Sequence, residues 1–340
     1  MRNFLASFFE TITNKLREKS SKISTLKEER VLINEEKAIE EITSKVKKTH
    51  KKKIPEKKTE IIPYEINPIR DVIDLMEFPF LSLSKDRVNP IIYESEDKTQ
   101  KVEISGHRGH FIASIYDWDI ILVVAGKIQE ILNNGSGIPL KKIIIPRHEL
   151  LKALHKQDGK KQHKDLEKSL SRLQLTGINT TVNNKDYRHR AGFGFIESWG
   201  YLERKNNREI KIIQITLSEW LYEICCAQGS LLKSDRSYFE LTSGLKRFLY
   251  RTARKHAGNN RDGWEFTIKK LYEKSGSERE FKKFKSDLKV AIAENDLPDY
   301  TIKIIQKNNK QTVLFTKRSN ISKIDKITDK CELLIDKQII

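Results

Sequence analysis

Cutting a nucleic-acid strand with a divalent metal calls for two histidines flanking one apolar residue, and a tyrosine nucleophile. The nearest approach in this chain is His107 and His110, three apart around Arg108 and Gly109. The other histidines are scattered singly. Cys225 and Cys226 are adjacent and Cys331 is remote, which gives neither a zinc spacing nor a disulfide framework and points to a reducing compartment. GSGIPLKK at 135–142 sets its lysines outside the GxxxxGK[ST] phosphate-loop pattern. GFGF at 192–195 lacks the helix that follows a dinucleotide fingerprint and reads as a bent core strand. No catalytic constellation emerges, so no cofactor or metal is expected, and the chemistry left to the chain is electrostatic.

Two rows of cations carry that chemistry. In KKQHKDLEKSLSRLQL, Leu166, Leu170 and Leu173 form one helical stripe. Lys161, Lys164, Lys168 and Arg172 fall on nearly the opposite side, with Lys160 beside them. This is the footprint of phosphate contact, or the face of an ordinary solvated helix. In SGSEREFKKFKSDLKVAI at 275–292, Phe281, Phe284, Leu288, Ala291 and Ile292 gather toward a core. Lys282, Lys285 and Lys289 lie on one flank, Glu280 and Asp287 on the other, and Arg279, Lys283, Ser286 and Val290 point outward. A helix in a major groove uses flank lysines on a phosphate backbone and long outward side chains on base edges. Val290, odd for a solvated surface, can meet a thymine methyl or the protein's own β-hairpin.

The elements that must hold these rows follow from periodicity and punctuation. YDWDIILVVAGKIQEILNN at 116–134 predicts a buried helix stopped by Gly135, then comes a short strand KKIII. Pro146 suits the first position of the helix RHELLKAL, and after Gly159 a third helix covers 160–174. Two β-rich runs follow, with turns at NNKD and NNRE. The order then returns without the sequence: SEWLYEICCA and YFELTSGLKRFLYRTARKHAG as helices, WEFTI as an extended link, IKKLYEKS as a helix ending at Gly276, a helix over 277–294, and the hairpin YTIKIIQ/KNNK/QTVLF. Ser277 and Glu280 have the spacing of a capping box, which predicts that this helix starts near Ser277. Helix, helix, tight glycine turn, helix and hairpin is the winged helix-turn-helix order. The expected fold class is therefore α+β, two tandem winged-helix domains at 63–216 and 217–318, with a helical or disordered N-terminal extension at 1–62 and a C-terminal tail at 319–340.

Composition agrees with a nucleic-acid partner. The chain of 340 residues carries a formal charge of +18, an excess that repels itself unless a polyanion is near. An acidic membrane surface is the lesser rival. The longest apolar run, IILVVA at 120–125, is far short of a membrane span, and the N-terminus lacks a signal-peptide pattern, so a cytoplasmic location is expected. In the extension, Leu5, Phe9, Ile12, Leu16, Ile23, Leu26 and Ile33 follow a 3-4 spacing, read as an amphipathic helix that meets a partner or as a loose helical tail. Lys45 to Lys58 reads as a solvated linker. KRFLYRTARKHAG places Lys246, Arg247, Arg251, Arg254 and Lys255 around one helix, open either to phosphate or to water. Arg188, Arg190, Lys307 and Lys310 sit near hairpin tips, where a wing reaches a minor groove or backbone.

Several stretches resemble plasmid replication initiator protein A: FPFLSLSK at 78–85, IYDWDI at 115–120, GFGFIESW at 192–199, TLSEWL at 216–221, SYFELTSGLKRFLYRTARKHAG at 237–258 and SGSEREFKKFKSDLKVAIAENDLPDYTI at 275–302. Residues 1–62 lie outside the resemblance. It implies a sequence-specific binder of repeated sites in double-stranded origin DNA, which distorts the DNA beside them and recruits the host replication initiator and helicase machinery. By analogy with other two-domain plasmid initiators, a homodimer represses its own gene while a monomer initiates. Each third helix is then expected to enter a major groove about one turn from the other. The rivals are a winged-helix transcriptional repressor and a rolling-circle nicking enzyme.

Overall fold

A run as apolar as IILVVA can leave no face in water, and a helix that is hydrophobic all round belongs inside a core. The computed structural model, which describes residues 69–319 except 136–138, 184–187, 204–209, 259 and 308–309, places it there. Helix α1 (Trp118–Asn133) is buried continuously from Trp118 to Gly126, and Gly135 at φ +64° turns the chain away from its end. The extension at 1–62 and the chain beyond 319 lie outside the described residues.

Around α1 the described residues form an α+β body of helices and antiparallel sheets. A two-stranded sheet pairs β1 (Arg70–Val72) with β9 (Leu231–Lys233). A four-stranded sheet has the order β2 (Ile91–Glu94), β3 (Gln100–Gly106), β5 (Thr176–Asn183), β6 (Arg188–Gly194). A three-stranded sheet runs β4 (Lys142–Pro146), β8 (Ile210–Leu217), β7 (Ile196–Glu203). Another runs β10 (Trp264–Thr267), β12 (Lys310–Lys317), β11 (Tyr300–Lys307). The remaining helices are α2 (Arg147–Ala153), α3 (Lys160–Leu175), α4 (Glu219–Cys226), α5 (Gly244–His256), α6 (Ile268–Ser275) and α7 (Phe281–Glu294).

The GFGF run is the corner between two of these sheets. Phe195 is fully buried between β6 and β7, edge-on to Trp118 at 5.3 Å, while the Trp220 indole N–H donates to the Gly194 carbonyl at 2.6 Å. The second of the two β-rich runs is thereby divided at this corner, with the β5–β6 hairpin in one sheet and β7–β8 in the other. The long helix expected from YFELTSGLKRFLYRTARKHAG also breaks, because Arg236–Glu240 forms a 3-10 turn and α5 begins only at Gly244. A Cβ on Gly244 would stand 2.1 Å from the Leu83 carbonyl oxygen, so glycine is what lets α5 start against that strand-like segment.

Contacts join the two sides of the 216/217 boundary. The β1–β9 pairing crosses it, and all described residues belong to one compact unit. Buried ion pairs cross it too. Arg251 donates to both oxygens of Asp71 (2.5 and 3.0 Å), and Arg247 donates to Asp119 at 2.6 Å. Arg247 also lies over the rings of Tyr116 and Tyr238. Lys246 pairs with Glu294 and Asp296, Arg254 donates to the Lys233 carbonyl and Lys255 meets Glu77. The cations of α5, read from sequence as open to phosphate or water, are thus engaged inside the protein.

Candidate nucleic-acid interface

Helix α3 follows Gly159, whose extended backbone lets the chain turn into the first helical residue, Lys160. Leu166, Leu170 and Leu173 are buried beneath it, and α3 packs against β7, whose Trp199 and Tyr201 lie opposite Ile215 and Ile213 of β8. The burial of that stripe forces Lys160, Lys161, Lys164 and Lys168 into solvent, and all four are exposed and form no ion pair among the described residues. Arg172 is different. Its guanidinium grips the buried Asp117 at the start of α1, Nε to Oδ2 at 2.7 Å and Nη2 to Oδ1 at 2.6 Å. Burial disfavours the cation, but the hydrogen bonds and charge of Asp117 outweigh that, so the pKa of Arg172 lies above its ordinary value. Arg172 is therefore a structural cation and not a member of the exposed row.

Beside α3 runs a groove that periodicity did not reveal. Lys161, Lys164 and Lys168 share it with Lys85, Lys156 and the half-exposed Phe111. Lys85 lies 4.6 Å above the Tyr116 ring, which holds its ammonium at the groove wall. Asp165 and Glu167 border the lysine row, so the positive stripe is narrow. Lys85 ends the FPFLSLSK run and Lys156 follows His155, a residue in the left-handed region at φ +54°. Neither position carries a periodic signal, since only the folded chain brings them to α3.

Helix α7 is positioned by the turn before it. Thr267 caps α6 by accepting the Lys270 N–H at 3.2 Å, and Gly276, at φ +59°, ends that helix. The capping box expected from Ser277 and Glu280 is absent. Ser277 Oγ instead accepts from the Arg279 N–H at 3.2 Å, and Glu280, in extended conformation, precedes the first helical residue Phe281. The helix thus starts four residues later than its capping signal, because the backbone at 277–280 is occupied in crossing from α6. Arg279 lies before the helix. Its side chain is 59% exposed with Nε 3.1 Å from Asp287, and its carbonyl accepts from the Tyr272 hydroxyl.

Phe284, Leu288 and Ala291 are the buried face of α7. Phe281, expected in the core, is 43% exposed and touches Tyr272 edge-on at 5.3 Å. Lys282, Lys283, Ser286 and Lys289 are exposed, with Lys283 3.6 Å from Glu280 and Lys285 half-buried. Val290 is 55% exposed. Rather than meeting a hairpin, it lines a cavity with Arg279, Asp287 and Glu294 against Ser82–Ser84 and the first turn of α5. The structure therefore holds eight of the nine sequence-chosen cations, and Ser286, in solvent and withdraws Arg172. Among the described residues, no three His, Cys, Asp or Glu side chains converge as a metal site requires.

The family described as Replication initiator protein A matches residues 70–302. The chain belongs to that family. A protein of Wigglesworthia glossinidia brevipalpis described as a replication protein is 32% identical over 256 residues, 75% of this chain and 90% of its own length. Domains 2 and 3 of RctB, in a crystal structure of its residues 155–483, superpose with a TM-score of 0.50 at 12% identity, over 72% of this chain and 97% of that one. A selenomethionine derivative of the same two domains gives 0.54, also at 12% identity, over 72% and 98%. At that identity the likeness is one of fold. Among the described residues, no helix of this Replication initiator protein A member is long and apolar enough to cross a membrane.

Proposed function

We propose that this chain initiates replication of a plasmid by binding repeated sequences in double-stranded origin DNA, opening the duplex beside them and recruiting the host initiator and helicase machinery. Two winged helices carry the binding. One is α5, β10, α6, α7 and the β11–β12 hairpin, in which β10 joins the hairpin sheet. The other is α1, β4, α2, α3 and the β7–β8 hairpin, in which β4 does the same. In each, the third helix buries one stripe and turns lysines outward: Lys160, Lys161, Lys164 and Lys168 on α3, and Lys282, Lys283 and Lys289 on α7. The observation that carries this reading is that the same element order, with an exposed cationic third helix, occurs twice in a chain that belongs to a family of replication initiators.

Lysines on α3 are assigned to phosphates and Lys283 with Ser286 to the base-facing side of α7, the two helices entering major grooves about one turn apart. The protein acts without catalysis, in the cytoplasm, and a homodimer provides a repressing form. Footprinting on the DNA flanking its gene tests the proposal. Lys164→Gln is expected to weaken binding on every sequence and make its salt dependence shallower by about one counterion, whereas Lys283→Gln weakens binding at particular bases. If neither substitution changes binding, the assignment of the helices is wrong. A site-specific nick in supercoiled origin DNA with Mg²⁺ would replace this reading with a nicking enzyme. Replication of the plasmid without the protein would leave a repressor.

A further inference from the structure

The four-stranded sheet β2-β3-β5-β6 has one face that the described helices do not cover. Ile91, Val102, Ile104 and Ile178 point inward and are buried. Residues directly opposite on neighbouring strands share a face, so the outer face can be written from the register. One row across it is Glu94, Lys101, Thr181 and Arg190, and the next is Ile92, Glu103, Asn179 and Gly192, with Arg188 opposite Asn183 beyond. Lys101, Arg188 and Arg190 are exposed and form no ion pair among the described residues. They rise around a shallow groove of about 300 Å³ floored by Asn179, Thr181 and Gly192. Glu103 also borders this groove and Glu94 lies opposite Lys101, so the positive charge is strongest toward the β6 edge.

We propose that this outer face is a second nucleic-acid contact, one that grips the phosphate backbone of duplex DNA flanking the stretch held by α3. It rests on the DNA-binding reading above and extends it to a surface outside the helix-turn-helix elements. Short polar side chains and a glycine leave the floor low, which lets a sugar-phosphate backbone approach while the long cations reach its charges. No residue in these rows is aromatic, so the face lacks the stacking platforms that single-stranded nucleic acid uses. Its chemistry is that of phosphate contact alone. Strand β5 begins at the residue after α3. The chain from Lys168 to Thr181 therefore spans at most about 31 Å, less than the ~34 Å of one duplex turn. One duplex can reach both surfaces.

The test uses the full chain with Lys101→Gln, Arg188→Gln and Arg190→Gln together, exposed positions whose replacement leaves the unfolding midpoint unchanged. The probe is a labelled duplex cut from the DNA flanking the gene, titrated over a salt series. The plot of log affinity against log salt concentration is expected to become shallower by about two to three units. Hydroxyl-radical protection should be lost at one edge of the footprint and kept at its centre. Glu103→Gln alone should tighten binding a few-fold at low salt. An unchanged slope and footprint would overturn the proposal, and so would a loss confined to the same sequence offered as a single strand. If the triple variant weakens duplex binding while Lys164→Gln and Lys283→Gln do not, the sheet contact stands and the reading of the helices falls.

Discussion

Replacing Asp71 by Asn perturbs the point where the two halves of the fold are joined. Asp71 is 1% exposed and accepts four hydrogen bonds, from Arg251 Nε and Nη2 at 2.5 and 3.0 Å, Trp118 Nε1 at 2.9 Å and the Val72 amide at 2.8 Å. Asparagine keeps an acceptor for Trp118 but offers no charge to Arg251, itself 6% exposed. A buried cation left without its counter-charge costs about 3–5 kcal/mol. For a body of this size that corresponds to a fall of about 10 °C in Tm. Urea unfolding followed by tryptophan fluorescence gives the free energy directly, since Trp118 reports from the site itself. The double substitution Asp71→Leu with Arg251→Met should cost much less than the sum of the single losses, because the desolvation that each lone charge suffers is then gone. A loss below about 1 kcal/mol for Asp71→Asn would show that Arg251 finds water or another acceptor, and the argument for a buried clasp would fail.

Three further outcomes follow from the same geometry. Arg172→Gln should destabilise the fold by leaving Asp117 buried without its cation, and should leave the salt slope of DNA binding unchanged once the folded fraction is taken into account. Lys168→Gln should do the reverse, altering stability by less than about 0.5 kcal/mol. Thermal melts beside salt titrations separate the two. Gly276→Ala combines a left-handed φ of +59° with a Cβ 2.6 Å from Pro79 Cβ, and should cost about 1–3 kcal/mol while weakening DNA binding, as the α6–α7 angle shifts. Glu77 is held well below the carboxylate range: burial opposes its charge, but His256, with Nε2 3.4 Å away, and the charges of Lys274 and Lys255 outweigh it. A depressed carboxylate stabilises fully above its ordinary pKa of 4.5 and loses that contribution as pH falls below it. Glu77→Gln should therefore flatten the acid limb of the stability profile and cost about 1–2 kcal/mol at neutral pH, its partial exposure tempering the loss. Parallel profiles for the two proteins would refute this.

The elements themselves were legible in the chain. The run at 120–125 required an enclosed helix, the Leu166–Leu170–Leu173 and Phe284–Leu288–Ala291 stripes required α3 and α7, and Gly276 marked the turn between α6 and α7. Each is a local pattern whose period is set by the backbone of its own element. What the sequence could not decide is which cations stay in water. Arg172, Arg247 and Arg251 look like their exposed neighbours until Asp117, Asp119 and Asp71 arrive from 55, 128 and 180 residues away. The same holds for the outer face of the four-stranded sheet, where the bend at Phe195 assigns β5–β6 and β7–β8 to different sheets and leaves Lys101, Arg188 and Arg190 on one surface. Helical and strand periods determine which way a side chain points from its own axis; only tertiary packing decides whether a carboxylate or water is there to meet it.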